Sequence, residues 1–262
     1  MIKLIAVDLD DTLLMEDCTI PQAAIDTIRK AAEKGVITVI ASGRIFPSAN
    51  QYAAAVGAHA PVICYNGAQV RRTDGSVILS QAHTPEDIHD MAVFCKERGL
   101  YLQLYADDEI VVEKTVYETL VDPDSKVTGI REIGDLTTAQ HKPSPKMMIF
   151  DTKEKLVEVR REIEALYPDR FYLATSKDYL LEIMPKNVSK RNTLAKLAES
   201  LGITREEVMA CGDNTNDMDM VEWAGCGVAV GNAVPSLKDA ADYVAEAFRS
   251  YGVIEAIEKL VL

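Results

Sequence analysis

Three segments of the chain consist of consecutive apolar residues, many of them β-branched, and each ends in small or acidic residues. They are KLIAVDLDDT, GVITVIASGR and EEVMACGDNTND. Continuous apolar runs bounded by turn residues are typical of parallel strands that are buried on both faces. We therefore predict three buried parallel strands with polar residues at their carboxyl ends.

An amphipathic segment separates the first two predicted strands. In PQAAIDTIRKAAEKG, one helical face carries Ile25, Ile28 and Ala32, Pro21 suits the first turn, and Gly35 follows the end. A second apolar stripe of helical period, in SKRNTLAKLAESLGI, precedes the third strand. This alternation of strands and helices predicts βαβ connections and a parallel sheet.

The middle of the chain, between His83 and Pro185, has a different pattern. YLQLYADDEIVVE and FYLATSKDYLLEIMP each place extended runs on both sides of a short polar turn, which predicts two β-hairpins. Hairpins favour an antiparallel sheet with one face open to water. We therefore predict an α/β fold class: a doubly wound, Rossmann-like, mostly parallel sheet core at residues 1–82 and 187–262, with an inserted α+β domain at residues 83–186.

Composition narrows the class of protein. The 262 residues are 48% hydrophobic and 26% charged, and no apolar run approaches the roughly 20 residues that cross a bilayer. The N-terminus runs directly into a predicted strand, without the basic, apolar and small-residue regions of a secretory signal. We therefore expect no membrane insertion and a cytoplasmic location.

Charge and residue spacing restrict the ligands. A net charge of −13 argues against a nucleic-acid groove, which needs clustered Lys and Arg, but does not exclude small anionic ligands. The five cysteines, and the histidines His59, His83, His89 and His141, lack the spacing of metal or redox motifs. No pattern in the sequence indicates an oligomeric state.

Acidic residues follow the first and third predicted strands. Ligands of open α/β sheets bind beyond the carboxyl ends of the strands, which predicts a common rim for Asp8, Asp10, Asp213 and Asp217. Asp8 and Asp10 would share a face if the first strand extended that far. Carboxylates this close repel one another unless they share a proton or a divalent cation. An oxygen-rich set without histidine suits Mg²⁺, which also takes substrate phosphate as a ligand.

Hydrogen-bond donors accompany these acids. Those suited to phosphoryl oxygens are Thr12, Ser42, the Gly43 backbone, Lys190 and Asn216. A metal-bound carboxylate is a competent nucleophile for phosphoryl transfer, which otherwise needs positioning and charge stabilisation. Together the residues predict a site for phosphoryl chemistry on a small phosphorylated metabolite.

Taken singly, each motif has an ordinary explanation. D-x-D-x-T arises easily in a chain with 41 acidic residues, Lys190 suits a solvated helix start, and GDNTND suits a helix cap. Arg44 suits an ion pair with neighbouring acids. The order of the motifs, with a long insertion after the second, favours a functional site over these explanations.

In that order, DLDDT, ASGR, Lys190 and GDNTND resemble the four motifs of the haloacid dehalogenase (HAD) superfamily. CYNGA and AGCGVAVGNA resemble segments of its Cof-like phosphatases, which carry a type IIB cap, and the resemblance covers nearly the whole chain. It implies that residues 83–186 form the substrate-specificity cap. It also implies a Mg²⁺-dependent phosphatase in which Asp8 becomes an aspartyl-phosphate and Asp10 is the general acid and base.

The resemblance also implies the metal ligands. Asp8, the backbone carbonyl of Asp10 and Asp213 would hold Mg²⁺, with Asp217 as a nearby supporting carboxylate. The transferring phosphoryl group would be bound by Ser42 and Lys190, with Asn216 close to the lysine and the substrate.

The chain departs from the family pattern at three places. Asp11 stands where glycine is common, and Arg191 follows the third-motif lysine where glycine is frequent. AFRSYGV, near the C-terminus, replaces a loop that is usually more acidic. These departures leave the reaction class unchanged and bear on the substrate preference.

Three functions remain open. The first is a Mg²⁺-dependent phosphatase that hydrolyses small phosphorylated metabolites such as sugar phosphates. A sugar phosphomutase would instead retain the phosphoryl group on the sugar. A receiver-type phospho-acceptor module uses similar residues around Mg²⁺, but such modules are far shorter and lack a second catalytic aspartate.

Overall fold

The computed structural model describes residues 1–57, 61–117, 119, 123–175 and 177–262. The chain divides into two units, Met1–Ile78 with Ser189–Leu262 and Leu79–Val188. His59 lies outside the described residues. Within the described ranges, no helix combines the length and the apolar character needed to cross a membrane.

The elements are numbered in chain order over the described residues. The strands are β1 (Leu4–Val7), β2 (Ile37–Ile40), β3 (Val62–Cys64), β4 (Gln69–Arg71), β5 (Val77–Ser80), β6 (Tyr101–Ala106), β7 (Glu109–Val112), β8 (Ile130–Glu132), β9 (Met147–Phe150), β10 (Phe171–Ala174), β11 (Leu180–Pro185), β12 (Val208–Gly212), β13 (Cys226–Ala229) and β14 (Tyr243–Val244). The helices are α1 (Gln22–Glu33), α2 (Phe46–Ala55), α3 (Pro85–Glu97), α4 (Lys153–Leu166), α5 (Lys190–Ser200), α6 (Met218–Trp223), α7 (Pro235–Ala240) and α8 (Ser250–Leu260).

The first unit is built on a parallel sheet. Its strands lie in the order β14-β13-β12-β1-β2, and each neighbouring pair is parallel. Every residue of β1 and of β12 is buried, as their continuous apolar sequences predict. Helix α1 packs against α8, and α5 packs against α6. The predicted parallel α/β core is therefore confirmed.

The second unit contains a mainly antiparallel sheet. Across the part of the chain that the structure describes, its strand order is β10-β11-β9-β6-β7-β8, with β7 and β8 parallel. Both predicted hairpins form, β6 with β7 and β10 with β11. The first turns at Asp107 and Asp108, whose positive φ angles of 56° and 59° suit a two-residue hairpin turn.

One face of this second sheet packs on α3 and α4. Residues that alternate along the central strands, such as Leu104, Met147 and Ile183, join the helices in one apolar cluster. The opposite face was expected to be open to water, and at its centre this is wrong. Gln103 and Glu182 lie there and are at most 2% exposed.

Polar and aromatic side chains cover one another on that opposite face. Lys146 donates to Glu182 (3.2 Å), and its Nζ lies 4.6 Å from the centre of the Tyr105 ring. Gln103 donates to the Tyr105 hydroxyl (2.8 Å). Long side chains with polar ends can bury their stems against a sheet, which a simple apolar and polar alternation does not anticipate.

Candidate active site

The ends of two neighbouring strands place two carboxylates side by side. β1 ends at Val7, β12 ends at Gly212, and Val7 lies opposite Cys211 in the parallel register. Asp8 and Asp213 therefore follow adjacent strands at the same edge of the sheet. The amide of Asp8 still donates to the Cys211 carbonyl (3.1 Å), and both acids are buried.

Asp217 joins them because the GDNTND loop turns back on itself. Its Oδ2 accepts hydrogen bonds from the amides of Asp213 (3.0 Å) and Asn214 (3.2 Å). Gly212 leaves room for the Asp217 side chain, since a Cβ at residue 212 would lie 2.4 Å from the Asp217 Cβ. The loop therefore buries a third carboxylate beside the first two.

Lys190 supplies positive charge to this group. It is the first residue of α5, which Ser189 caps by accepting a hydrogen bond from the Asn192 amide (3.2 Å). The Lys190 Nζ donates to Oδ1 of Asp8 (2.5 Å) and to Oδ1 of Asp217 (2.6 Å). Lys190 is only 1% exposed, so the alternative of a solvated helix-start lysine is wrong.

The carboxylates of Asp8, Asp213 and Asp217 form an acid cluster, with ligand oxygens within 4.8 Å of one another. Burial and the neighbouring Asp217 raise the pKa of Asp8 well above its ordinary value, although Lys190 opposes that rise. Burial and Asp217 also raise the pKa of Asp213 to about 7. The ammonium group of Lys190 therefore does not fully offset the combined effects of burial and of the neighbouring carboxylates on these pKa values.

The donor set of the acid cluster fits Mg²⁺. All of its ligands are carboxylate oxygens, and a divalent cation would favour the ionised carboxylates, which burial and mutual repulsion disfavour. Thr12 Oγ1 donates to Oδ1 of Asp213 (3.0 Å) and so fixes the orientation of that carboxylate. The cluster is able to hold a metal ion.

Asp10 does not lie on an extension of β1, so the condition under which it would share a strand face with Asp8 is not met. The chain leaves the strand after Val7 and forms a tight turn in which the Leu13 amide donates to the Asp8 carbonyl (3.2 Å). Strand alternation therefore ends before Asp10. Its carboxylate lies outside the acid cluster among the described residues, and its side chain is 40% exposed.

Arg44 binds the Asp10 carboxylate in a bidentate ion pair. Its Nη2 donates to Oδ1 (2.6 Å) and its Nε donates to Oδ2 (2.8 Å). The guanidinium is largely buried, donates to Ser48 Oγ (3.2 Å) and lies 5.3 Å from the Tyr52 ring centre. Sequence reasoning expected an ion pair for Arg44 but gave the residue no place in the site. Its position directly after the predicted phosphate-binding Ser42 and Gly43 was the available signal.

The predicted phosphoryl donors lie at the same ends of the strands. Ser42 follows β2 and is buried, and its amide donates to the Ile63 carbonyl (2.9 Å). Gly43 is half-buried, and Asn216 is 9% exposed within the loop that carries Asp217. Over the described ranges, no hydrogen bond joins Ser42 or Asn216 to Asp8 or Lys190, whereas Thr12 is bonded directly into the acid cluster.

The sequence profile of the haloacid dehalogenase-like hydrolases matches residues 5–257. The chain belongs to this family. The match includes both segments of the first unit and the whole second unit, so the hydrolase is described by the profile over nearly its full length.

Named relatives agree with this assignment. The hydrolase is 32% identical over 272 residues to YxeH of Bacillus subtilis (strain 168), with 100% of this chain and 99% of YxeH covered. YxeH is named as a phosphatase. It is 28% identical over 248 residues to the 5-amino-6-(5-phospho-D-ribitylamino)uracil phosphatase YitU of the same strain, with 91% and 90% covered. The structure of the HAD subclass IIB sugar phosphatase BT4131 superposes with a TM-score of 0.84 at 25% identity, with 98% of both chains covered.

The resemblance to Cof-like HAD phosphatases is thereby confirmed. The protein is a phosphoric monoester hydrolase.

Proposed function

We propose that this hydrolase removes phosphate from small phosphorylated metabolites, with sugar phosphates as the leading class, by a Mg²⁺-dependent route through an aspartyl-phosphate on Asp8. The observation that carries the proposal is the position of Asp8, which is buried against Lys190 and within ligand distance of two further carboxylates. The substrates in the names of YitU and BT4131, a phosphoribityl compound and a sugar phosphate, support the substrate class.

In the first half of the reaction, a carboxylate oxygen of Asp8 attacks phosphorus. The P–O bond to the leaving alcohol breaks, and Asp10 donates the proton that the alcohol needs. The product of this half is the aspartyl-phosphate and a free alcohol.

In the second half, Asp10 accepts a proton from water as that water attacks phosphorus. The bond between phosphorus and Asp8 breaks, which releases inorganic phosphate and regenerates both carboxyl groups. The exposure of Asp10 supports this role, because a group that exchanges protons with substrate and water must be accessible to both.

Asp8 and Asp213, with the Asp10 backbone carbonyl and the supporting carboxylate of Asp217, are the residues that would hold Mg²⁺. When bound, this ion supplies positive charge that stabilises the transferring phosphoryl group. Thr12 orients Asp213 through its 3.0 Å hydrogen bond.

Ser42, the Gly43 amide, Lys190 and Asn216 bind the phosphoryl oxygens in this proposal. Lys190 already donates to Asp8, so one ammonium group can hold the nucleophile and stabilise charge on the phosphoryl group. The burial of Lys190 strengthens both interactions, because charges interact more strongly away from water.

We assign the catalytic residues to the segments 1–82 and 187–262, and substrate selection to the inserted segment 83–186. All residues of the acid cluster, with Lys190 and Arg44, belong to the first unit. The second unit has a core and a sheet of its own, which suits a separate role.

The proposal is tested by measuring inorganic phosphate released from a panel of sugar phosphates, phosphoribityl compounds and p-nitrophenyl phosphate. We expect release with Mg²⁺, none after chelation, and recovery when Mg²⁺ is restored. Asp8→Asn should abolish release without loss of the folded circular-dichroism spectrum. A folded wild-type protein that releases no phosphate from any ester, or that converts one sugar phosphate into another without release, would contradict the proposal.

A further inference from the structure

Two departures from the family pattern, Asp11 and the segment AFRSYGV, contact each other through Arg249, which lies in that segment. The Arg249 Nη2 donates to Oδ1 of Asp11 (3.0 Å), and its Nε lies 3.3 Å from the same oxygen. Asp11 stands between Asp10 and Thr12, and Arg249 directly precedes α8. The pair therefore joins the loop after β1 to a segment 238 residues away.

Asn232 closes this contact into a ring of three residues. Its Nδ2 donates to the Asp11 backbone carbonyl (2.8 Å), and its Oδ1 accepts from the Arg249 amide (2.8 Å). Each member of the Asp11–Asn232–Arg249 ring is thus bonded to the other two. A closed set of hydrogen bonds restrains the backbone more than any one of its bonds alone.

The backbone within the ring is strained at two residues. Asp11 has φ 59°, and Arg249 has φ 51° with ψ −134°, in regions that L-residues other than glycine seldom occupy. Such conformations persist when surrounding contacts hold them and are concentrated at functional sites. The ring supplies such contacts at both residues.

The strained loop carries proposed catalytic groups on both sides of Asp11. Asp10 is bound to Arg44 before it, and Thr12 is bound to Asp213 after it. We propose that Arg249 is a positioning residue that acts through Asp11 and Asn232 to fix the directions of Asp10 and Thr12. This inference rests on the roles proposed above for those two residues. Arg249 also offsets the charge that Asp11 adds next to Asp10.

The test compares Arg249→Met with Arg249→Lys and with Glu16→Gln. The Met variant removes both guanidinium bonds to Asp11. We therefore expect kcat for phosphate release to fall about tenfold with KM changed less than about twofold, because misplaced catalytic groups lower the rate more than binding. Lysine keeps the charge without the forked geometry and should recover part of the loss. Glu16→Gln removes the charge of an exposed carboxylate that pairs with Arg249 and should leave kcat unchanged.

Asp11→Gly provides the matched background, since glycine adopts the left-handed conformation of Asp11 without steric cost. If Arg249 acts through Asp11, Arg249→Met should cause less than about a twofold further loss in that background. The inference would be overturned if Arg249→Met lowered kcat equally in the wild-type and Asp11→Gly backgrounds, or if it left kcat unchanged in the wild-type background.

An activity-independent measurement separates this inference from the proposed function. The amides of Leu13 and Leu14 are bonded to the Asp8 and Leu9 carbonyls within the loop. Their hydrogen exchange should accelerate in Arg249→Met and stay at the wild-type rate in Glu16→Gln. Unchanged exchange in a folded Arg249→Met protein contradicts the inference even if phosphatase activity is never detected, whereas faster exchange in a protein without activity contradicts only the proposed function.

Discussion

Lys190 is the charge on which the candidate site depends. It lies between two buried carboxylates, and no other cation is bonded to Asp8 or Asp217 among the described residues. Sequence reasoning found Lys190 through the order of the motifs. It could not find the burial, because a lysine at a helix start is solvated in most proteins and only the packed fold distinguishes the two environments.

Lys190→Met should lower the free energy of unfolding by about 3–5 kcal/mol at neutral pH, since it leaves Asp8 and Asp217 buried without a counter-charge. Urea denaturation measures the change. Lys196→Met is the matched control, because Lys196 lies on the same helix and is exposed. Equal effects of the two substitutions would show that the buried ion pairs do not stabilise the fold.

At the scale of elements, the turn after β3 positions the start of α5. Gly67 has φ 102°, and a Cβ at this residue would lie 2.4 Å from the Ser189 carbonyl oxygen and 2.9 Å from Thr193 Oγ1. Thr193 Oγ1 also donates to the Gly67 carbonyl (2.8 Å). The sequence shows a glycine in CYNGA but not the helix that approaches it.

Gly67→Ala should therefore shift the start of α5 and with it Lys190. Gly35→Ala is the control, since Gly35 also has a left-handed φ, of 82°, but no atom lies within 4 Å of its added Cβ. Both variants should lose about 1–2 kcal/mol, because alanine, unlike glycine, is strained at a positive φ. Only Gly67→Ala should lose more than this in thermal unfolding and also lose phosphatase turnover. Equal thermal stability and equal turnover in the two variants would mean that the close approach of Gly67 to Ser189 does not position α5.

In the second unit, His83 makes stability depend on pH. Burial lowers its pKa from 6.5 to about 4, although its hydrogen bond to the Ile183 carbonyl opposes the shift. The unfolded chain protonates this histidine at a higher pH than the folded chain does. The contribution of neutral His83 to the free energy of unfolding is therefore fully present above pH 6.5 and is lost as the pH falls toward 4.

The loss over this interval should approach about 3 kcal/mol, from the pKa difference. Chemical denaturation between these pH values should show that the free energy of unfolding falls more steeply with decreasing pH for wild type than for His83→Gln. His89→Gln, at an exposed position on α3, should keep the wild-type slope. A wild-type slope in His83→Gln would contradict this assignment.

At the scale of the whole molecule, the features set by strand order could be predicted from the sequence. The register that sets Val7 opposite Cys211 brings Asp8 and Asp213 together, and both residues come directly after apolar runs. The end of β1 before Asp10, the covered second face around Glu182 and the Asp11–Arg249 pair were not predictable. The covered face and the Asp11–Arg249 pair depend on side chains distant in sequence that pack only in the folded chain, and the end of β1 depends on the tight turn between Asp8 and Leu13.

Metal binding is the property of the whole molecule that the acid cluster predicts. Mg²⁺ at 100 times its dissociation constant should stabilise the folded protein by about 2.7 kcal/mol, seen as a rise in the thermal midpoint. Asp213→Asn should reduce this rise strongly, and Asp239→Asn, at an exposed residue of α7, should not. An equal rise in all three proteins would place the metal elsewhere.

The central claim is that Asp8 accepts the phosphoryl group, and trapping the phosphoenzyme tests it most directly. Asp10→Asn removes the base for the second half-reaction, so p-nitrophenyl phosphate, whose leaving group needs little protonation, should leave one phosphoryl group per chain on Asp8. Rapid quenching and peptide mass spectrometry locate that group. The account predicts a phosphoryl group on the peptide that contains Asp8 in Asp10→Asn, and no phosphoryl group in the Asp8→Asn/Asp10→Asn double variant. Label on another residue, or wild-type turnover by Asp8→Asn, would contradict it.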